Sequence, residues 1–117
     1  MKKNVIVEKS KTFALRIVKI YQYLTAEKKE FILSRQVLKS GTSIGANVRE
    51  AIRGQTRADF YAKLNISLKE ASETEYWLEL LYESGYIDKV QFDSIYTDCQ
   101  EIISILVSIT KTQKNDI

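Results

Sequence analysis

Histidine and proline are absent from this 117-residue chain, and there is a single cysteine, Cys99. Each absence removes a class of reading. Without histidine there is no Ser-His-Asp or Cys-His nucleophilic arrangement, and most catalytic zinc sites lose their usual ligand. The di-iron chemistry of four-helix proteins loses its Glu-x-x-His pairs for the same reason. One cysteine permits no intrachain disulfide and fits a reducing compartment; its side chain is expected in the core as a small apolar group. The lack of proline, together with only four glycines, favours long helices over short strands and turns. No apolar run approaches the roughly 20 residues of a membrane span. Val5-Ile6-Val7 is far shorter than the ~7–15-residue core of a signal peptide, so a cytoplasmic location is expected. Gly41 and Gly45 match neither a Walker nor a Rossmann phosphate loop.

The chain is 44% hydrophobic and 28% charged, an ordinary composition for one globular domain spanning 1–117. Its net charge of +3 conceals a segregation. Residues 1–69 hold 15 Lys/Arg and 5 Asp/Glu, a net of +10, whereas residues 70–117 hold 3 and 10, a net of −7.

Apolar periodicity divides the chain into four helices. The first is expected over about Lys9–Leu24, capped by Ser10, with Phe13, Ile17, Ile20 and Leu24 inward; residues 1–7 are expected to be extended or disordered. Thr25 is expected to cap the second helix, with Glu27 and Glu30 in its first turns. That helix runs to about Arg53. It shows two seven-residue series, Phe31/Leu38/Gly45/Ile52 and Val37/Ile44/Ala51, with Val48 completing a broad face. Gly54 ends it, and Thr56 with Asp59 opens the third. Phe60, Leu64, Ser67 or Leu68, Ala71, Glu75, Leu78 and Tyr82 mark the third seam, and Gly85 stops the helix. Asp88 caps the fourth, where Phe92, Ile95, Cys99, Ile102, Leu106 and Ile109 repeat the period. The 112–117 end is expected to fray. Short corners between long amphipathic helices define an all-α, antiparallel up-down-up-down four-helix bundle.

Ser40–Ala51 departs from a plain helix. It keeps two interior glycines, each costing a helix ~1 kcal/mol relative to Ala, which implies a close backbone approach or a bend. Asn47 and Glu50 are candidates for polar contacts that fix the register. Glu75 falls on an apolar seam and needs a polar partner there, with Arg35, Lys39 or Ser43 at about the right depth. Arg35, Lys39, Arg49 and Arg53 share one face of the second helix, and Arg57 continues it around the corner; Lys9, Arg16 and Lys19 lie on the first helix. Such a stripe suits nucleic-acid phosphates. A solvated face, or one salt-bridged to the acidic third helix, is the commoner meaning of such a stripe. Seven tyrosines and Trp77 are spread along the chain, most of them suited to core edges or interfaces.

Ser43-Ile44-Gly45-Ala46-Asn47-Val48-Arg49-Glu50-Ala51 resembles the Ser-Ile-x-Ala-Asn-Ile-x-Glu-Gly signature of a bacterial four-helix-bundle family. Its members include proteins encoded in intervening sequences of large-subunit rRNA genes; accessory proteins of diversity-generating retroelements are similar. The likeness continues through Arg35-Gln36, Phe60, Leu64, Ser72 to Glu75, Leu78 and Gly85-Tyr86-Ile87. Ala51 stands where the signature usually has Gly, and Arg49 where a small residue is frequent. The resemblance implies a ring, a homopentamer, without enzymatic activity. For the retroelement relatives it implies a basic surface that binds nucleic acid and a reverse-transcriptase partner. Two functions follow as expectations: RNA or DNA binding through Arg35, Lys39, Arg49, Arg53 and Arg57, or a scaffold docking a partner polypeptide. No catalytic, cofactor-binding or metal-binding residue is expected, and no membrane association.

Overall fold

The computed structural model describes residues 2–115. It contains four helices: α1 (Lys2–Ala26), α2 (Leu33–Ile52), α3 (Arg57–Glu83) and α4 (Lys89–Asn115). Among the described residues, the helices whose backbones approach each other are α1–α2, α2–α3, α3–α4 and α4–α1. The result is an antiparallel four-cornered bundle measuring 48 × 21 × 21 Å. The expected all-α fold is therefore the observed one.

Each helix buries one stripe, close to where periodicity places it on α1, α2 and α4 but one residue away at three positions of α3. Helix α1 begins at Lys2, well before Lys9, because Ile6 extends the Phe13–Ile17–Leu24 seam by two turns. Of the 1–7 segment expected to be extended or disordered, only Met1 lies outside the described residues; the rest is helical. Ser10 is consequently no cap. It is buried in mid-helix, its hydroxyl donating to the Val7 carbonyl at 3.2 Å. At the far end helix α4 continues through Asn115, and positions 116–117 lie outside the described residues.

Helix α2 starts later than expected. Thr25 still belongs to α1, donating to the Tyr21 carbonyl at 3.0 Å. The cap is Glu30, whose carboxylate accepts the backbone N–H groups of Ile32, Leu33 and Ser34 at 3.2, 3.0 and 2.7 Å. Ser34 reciprocates by donating its hydroxyl to the Glu30 carbonyl at 2.8 Å. Partial burial works against the Glu30 charge, but these donors outweigh it and hold the carboxyl below its usual range. Phe31 thus precedes the helix and is 53% exposed. The Phe31/Leu38/Gly45/Ile52 series flanks the core, and the Val37/Ile44/Ala51 series fills it.

The two glycines of α2 admit α1. A Cβ on Gly41 would lie 2.8 and 2.9 Å from Cγ1 and Cγ2 of Ile17. One on Gly45 would meet Ser10 at 3.3 Å. Across the opposite seam, small polar residues tie α2 to α3. Ser67 donates to the Ile44 carbonyl at 2.8 Å, and the buried Thr74 and Ser40 hydroxyls lie 2.9 Å apart. Thr74, Tyr61 and Leu81 therefore occupy the seam positions expected for Glu75, Phe60 and Tyr82.

The remaining caps follow the sequence pattern. Thr56 accepts the Asp59 N–H at 3.0 Å. Asp88 and Gln91 exchange reciprocal side chain–backbone bonds of 2.8 and 2.9 Å. Gly85 terminates α3 with φ of 86°, a left-handed conformation that suits glycine. Cys99 is fully buried, with its thiol 3.5 Å from the Ala71 carbonyl; burial pushes its pKa up to about 12, making it a packing residue.

Candidate nucleic-acid interface

Whether the basic face of α2 is available depends on where the acidic residues go. Two of the three α1 cations singled out from the sequence are neutralised by α4. Lys9 pairs with Glu101, and Arg16 pairs with Asp98 while donating to the Ser94 hydroxyl at 2.7 Å. The acids of α3 turn elsewhere. Glu79 accepts the Tyr96 hydroxyl at 2.6 Å, and Glu73 accepts the Trp77 indole N–H at 3.0 Å. Tyr96 continues a stack through Phe92 to Tyr82, with ring centroids 4.6 and 4.5 Å apart, so this aromatic edge packs α3 on α4.

Glu75 does not meet Arg35, Lys39 or Ser43. It is half-buried on the α4 side of its helix, where its charge helps raise the pKa values of Tyr96 and Cys99. The polar contact at that depth of the α2–α3 seam is Thr74–Ser40. The one-residue shift arises because the threonine hydroxyl satisfies itself locally, 2.8 Å from the Glu70 carbonyl, where a carboxylate would need a cation. Asn47 likewise bonds within its own helix, donating to the Ser43 carbonyl at 2.9 Å. Glu50 does make the inter-helix contact expected of it, pairing with Lys63 of α3 at 3.0 Å.

Arg35, Lys39, Arg49 and Arg53 are all exposed. Among the described residues, none of these four forms an ion pair. Arg57 is exposed at the start of α3. Arg35, Lys39, Arg49 and Arg53 are therefore not matched to the acidic third helix. Arg49 and Arg53 lie at the C-terminal end of α2, where positive charge also complements the helix dipole.

The structure adds two cations that the stripe did not include. Arg49 stands between two open hollows. One lies in the α1–α2 groove, floored by Ala14, Thr42 and Ala46 and bordered by Lys11. The other, of about 570 Å³, lies at the α2–α3 corner and is bordered by Arg53 and Lys63. The signal for both lies in the antiparallel register. Gly45 meets Ser10, which sets Lys11 beside Ala46, and Lys63 sits opposite Glu50.

Among the described residues, no three His, Cys, Asp or Glu side chains converge as a metal site would require, and no helix is long and apolar enough to cross a membrane.

These features define a class: four-helix bundles with a small-residue α1–α2 contact, acids drawn toward the α3–α4 side, and a basic face on the second helix. The chain belongs to the 23S rRNA-intervening sequence protein family, which it matches over residues 2–108. It is also similar to a solved structure from Bacteroides thetaiotaomicron, described as a protein of unknown function from the S23 ribosomal protein family. The two are 58% identical with a TM-score of 0.93, covering 95% of this chain and 99% of that one. No curated protein matches the chain.

Proposed function

We propose that this protein is a non-enzymatic, oligomeric bundle that acts in the cytoplasm by binding RNA or DNA through Arg35, Lys39, Arg49, Arg53 and Arg57. One observation carries the reading. Four exposed cations on a single helix face have no ion-pair partner among the described residues, whereas Lys9 and Arg16 of α1 are neutralised by α4. From Arg35 to Arg53 the face is roughly 27 Å long at ~1.5 Å per residue. That length equals about eight base-pair steps along a duplex axis, at a rise of ~3.4 Å each. Five contacts predict a slope of log K against log salt of about −3.5 to −4.5 per protomer. Fluorescence anisotropy with labelled oligonucleotides across salt concentrations tests this. Arg49→Gln/Arg53→Gln is expected to flatten the slope by about 2. Binding indifferent to salt refutes the reading.

A second reading, a scaffold that docks a partner polypeptide, draws support from Leu15, Ile66 and Tyr76, which are exposed on regular helix faces. Charge reversal at Arg49 and Arg53 that spares nucleic-acid retention but abolishes a partner interaction selects it. The pentameric ring is part of the proposal under either reading. Light scattering at five times the 13.5-kDa chain supports it, and a monomer at high concentration refutes it.

A further inference from the structure

The hollow at the α2–α3 corner has a composition the rest of the stripe lacks. Arg49 and Arg53 lie one turn apart on α2 and border it from one side, and Lys63 borders it from α3. The Gln55 amide lines the corner between them. Two carboxylates are also present, Glu50 and Asp59. Asp59 lies in the first turn of α3, where the helix's own N-terminal charge favours it. Glu50 is engaged by Lys63 at 3.0 Å. Three cations against two acids leave a residual charge of +1, the complement of a single phosphodiester. Two guanidinium forks one turn apart can take phosphate oxygens bidentately, which a lysine cannot. The volume, about 570 Å³, lies within the range of small-ligand sites, so a phosphate and its attached sugar fit inside.

We propose that this hollow is a phosphate seat, and that the Glu50–Lys63 ion pair sets how tightly it holds a nucleic-acid backbone. The identity of the ligand rests on the nucleic-acid reading above; the seat itself rests on the convergence of Arg49, Arg53 and Lys63. Glu50 competes with the ligand for the Lys63 ammonium. An arriving phosphodiester draws Lys63 away from the carboxylate, and the affinity reflects the difference between the two pairings. Removing the Glu50 charge therefore strengthens binding, whereas removing any cation of the seat weakens it. A plain electrostatic stripe gives no special weight to Glu50, Lys63 or Gln55.

The test uses two probes on the full chain. Inorganic phosphate is titrated against chloride at matched ionic strength and followed by two-dimensional NMR. Shifts are expected at Arg49, Arg53, Lys63 and the Gln55 side-chain amide. In Glu50→Gln the affinity should rise about twofold to fivefold, the range of one exposed ion pair. Shifts of equal size at Arg35 and Lys39, or an affinity unchanged in Glu50→Gln, overturn the seat. A labelled 20-nucleotide RNA or DNA is then followed by anisotropy. Glu50→Gln should tighten it by the same factor and steepen the salt slope by about 0.7–0.9, one added contact. Adding Lys63→Met to Glu50→Gln should cancel the gain. Oligonucleotide binding that ignores Glu50→Gln refutes the seat and leaves the broader reading standing. Phosphate that titrates the hollow while no oligonucleotide binds supports the seat and refutes the broader reading. Glu50 is 59% exposed, so its replacement leaves the core untouched.

Discussion

Gly41→Ala separates two effects that a helical glycine combines. Intrinsic propensity favours alanine by about 0.8–1 kcal/mol in a helix interior. Packing opposes it. The new methyl would sit 2.8, 2.9 and 3.2 Å from Cγ1, Cγ2 and Cδ1 of Ile17. Ile17 is fully buried and β-branched, so its χ1 is stiff and it has nowhere to move. Overpacking of this kind costs about 1–3 kcal/mol. The net expectation is destabilisation by about 0.5–2 kcal/mol, seen as a lower urea midpoint at constant m value. The mechanism predicts a sign change in a second background. Ile17→Ala alone should cost about 2–5 kcal/mol through its cavity. With all three offending carbons gone, Gly41→Ala should then stabilise, because the propensity gain survives and the methyl partly fills the void. Gly45→Ala is the internal control. Its nearest neighbour would be Ser10 at 3.3 Å, so it should fall between neutral and about 1 kcal/mol stabilising. A Gly41→Ala protein more stable than wild type, or a Gly41→Ala effect of the same sign in both backgrounds, refutes close α1–α2 packing as the reason for the glycine.

Two further stability predictions follow from the polar contacts. Glu30→Gln should cost about 1 kcal/mol at neutral pH, since the charged cap of α2 is lost. Because the folded state lowers the Glu30 pKa, its contribution is complete above the unfolded value of about 4.3 and fades as pH falls through the lower folded value. Denaturant curves of wild type and variant should therefore converge under acid; a gap that persists at the lowest pH refutes the assignment. Thr74→Val should cost about 1–3 kcal/mol, because it strands the buried Ser40 hydroxyl. The Ser40→Ala/Thr74→Val double variant should recover part of that, and strictly additive costs would show that the two hydroxyls are not coupled.

The fold was legible because four long apolar periods, two well-formed caps and the absence of proline all favour one architecture. What periodicity misplaced was rotation about the helix axis. Leu80, Leu81 and Tyr82 are adjacent, and a pattern of threes and fours passes through Leu81 or Tyr82 equally well. The choice is made by the neighbours: Tyr82 is drawn into the Phe92–Tyr96 stack, which leaves Leu81 for the core. The same ambiguity put Glu75 on the seam in place of Thr74. The start of α2 was missed for another reason. Glu30 caps through its side chain four residues before Ser34, and no Ser, Thr, Asp or Asn marks the position. The basic stripe was legible as a helix face, since Arg35, Lys39, Arg49 and Arg53 share the helical period. Its freedom from ion pairing was not, because that depends on the acids of α3 and α4 finding partners away from α2. Lys11 and Lys63 required the inter-helix register, which a single sequence leaves open to about a turn.

The segregation of charge along the chain also constrains how copies can meet. Two basic α2 faces repel, so a two-fold contact that apposes them is penalised. A ring needs a head-to-tail interface, and two kinds are available. If the basic face of one protomer met the acidic α3–α4 side of the next, assembly would consume the cations that the nucleic acid needs. If assembly instead used exposed apolar residues such as Leu15, Ile66 and Val107, the stripe would remain free. The two arrangements respond oppositely to salt. Surface ion pairs are screened beyond about 8–10 Å at 0.10–0.15 M salt, whereas burial of apolar groups is not weakened by it. If the chain assembles as proposed, nucleic-acid binding through Arg35, Lys39, Arg49 and Arg53 calls for a ring that survives at salt concentrations where the oligonucleotide has dissociated. Sedimentation velocity, run at stepped salt alongside anisotropy, reads both at once. Loss of the ring at the same salt as the oligonucleotide would show that the stripe belongs to the subunit interface and refute its assignment to nucleic acid.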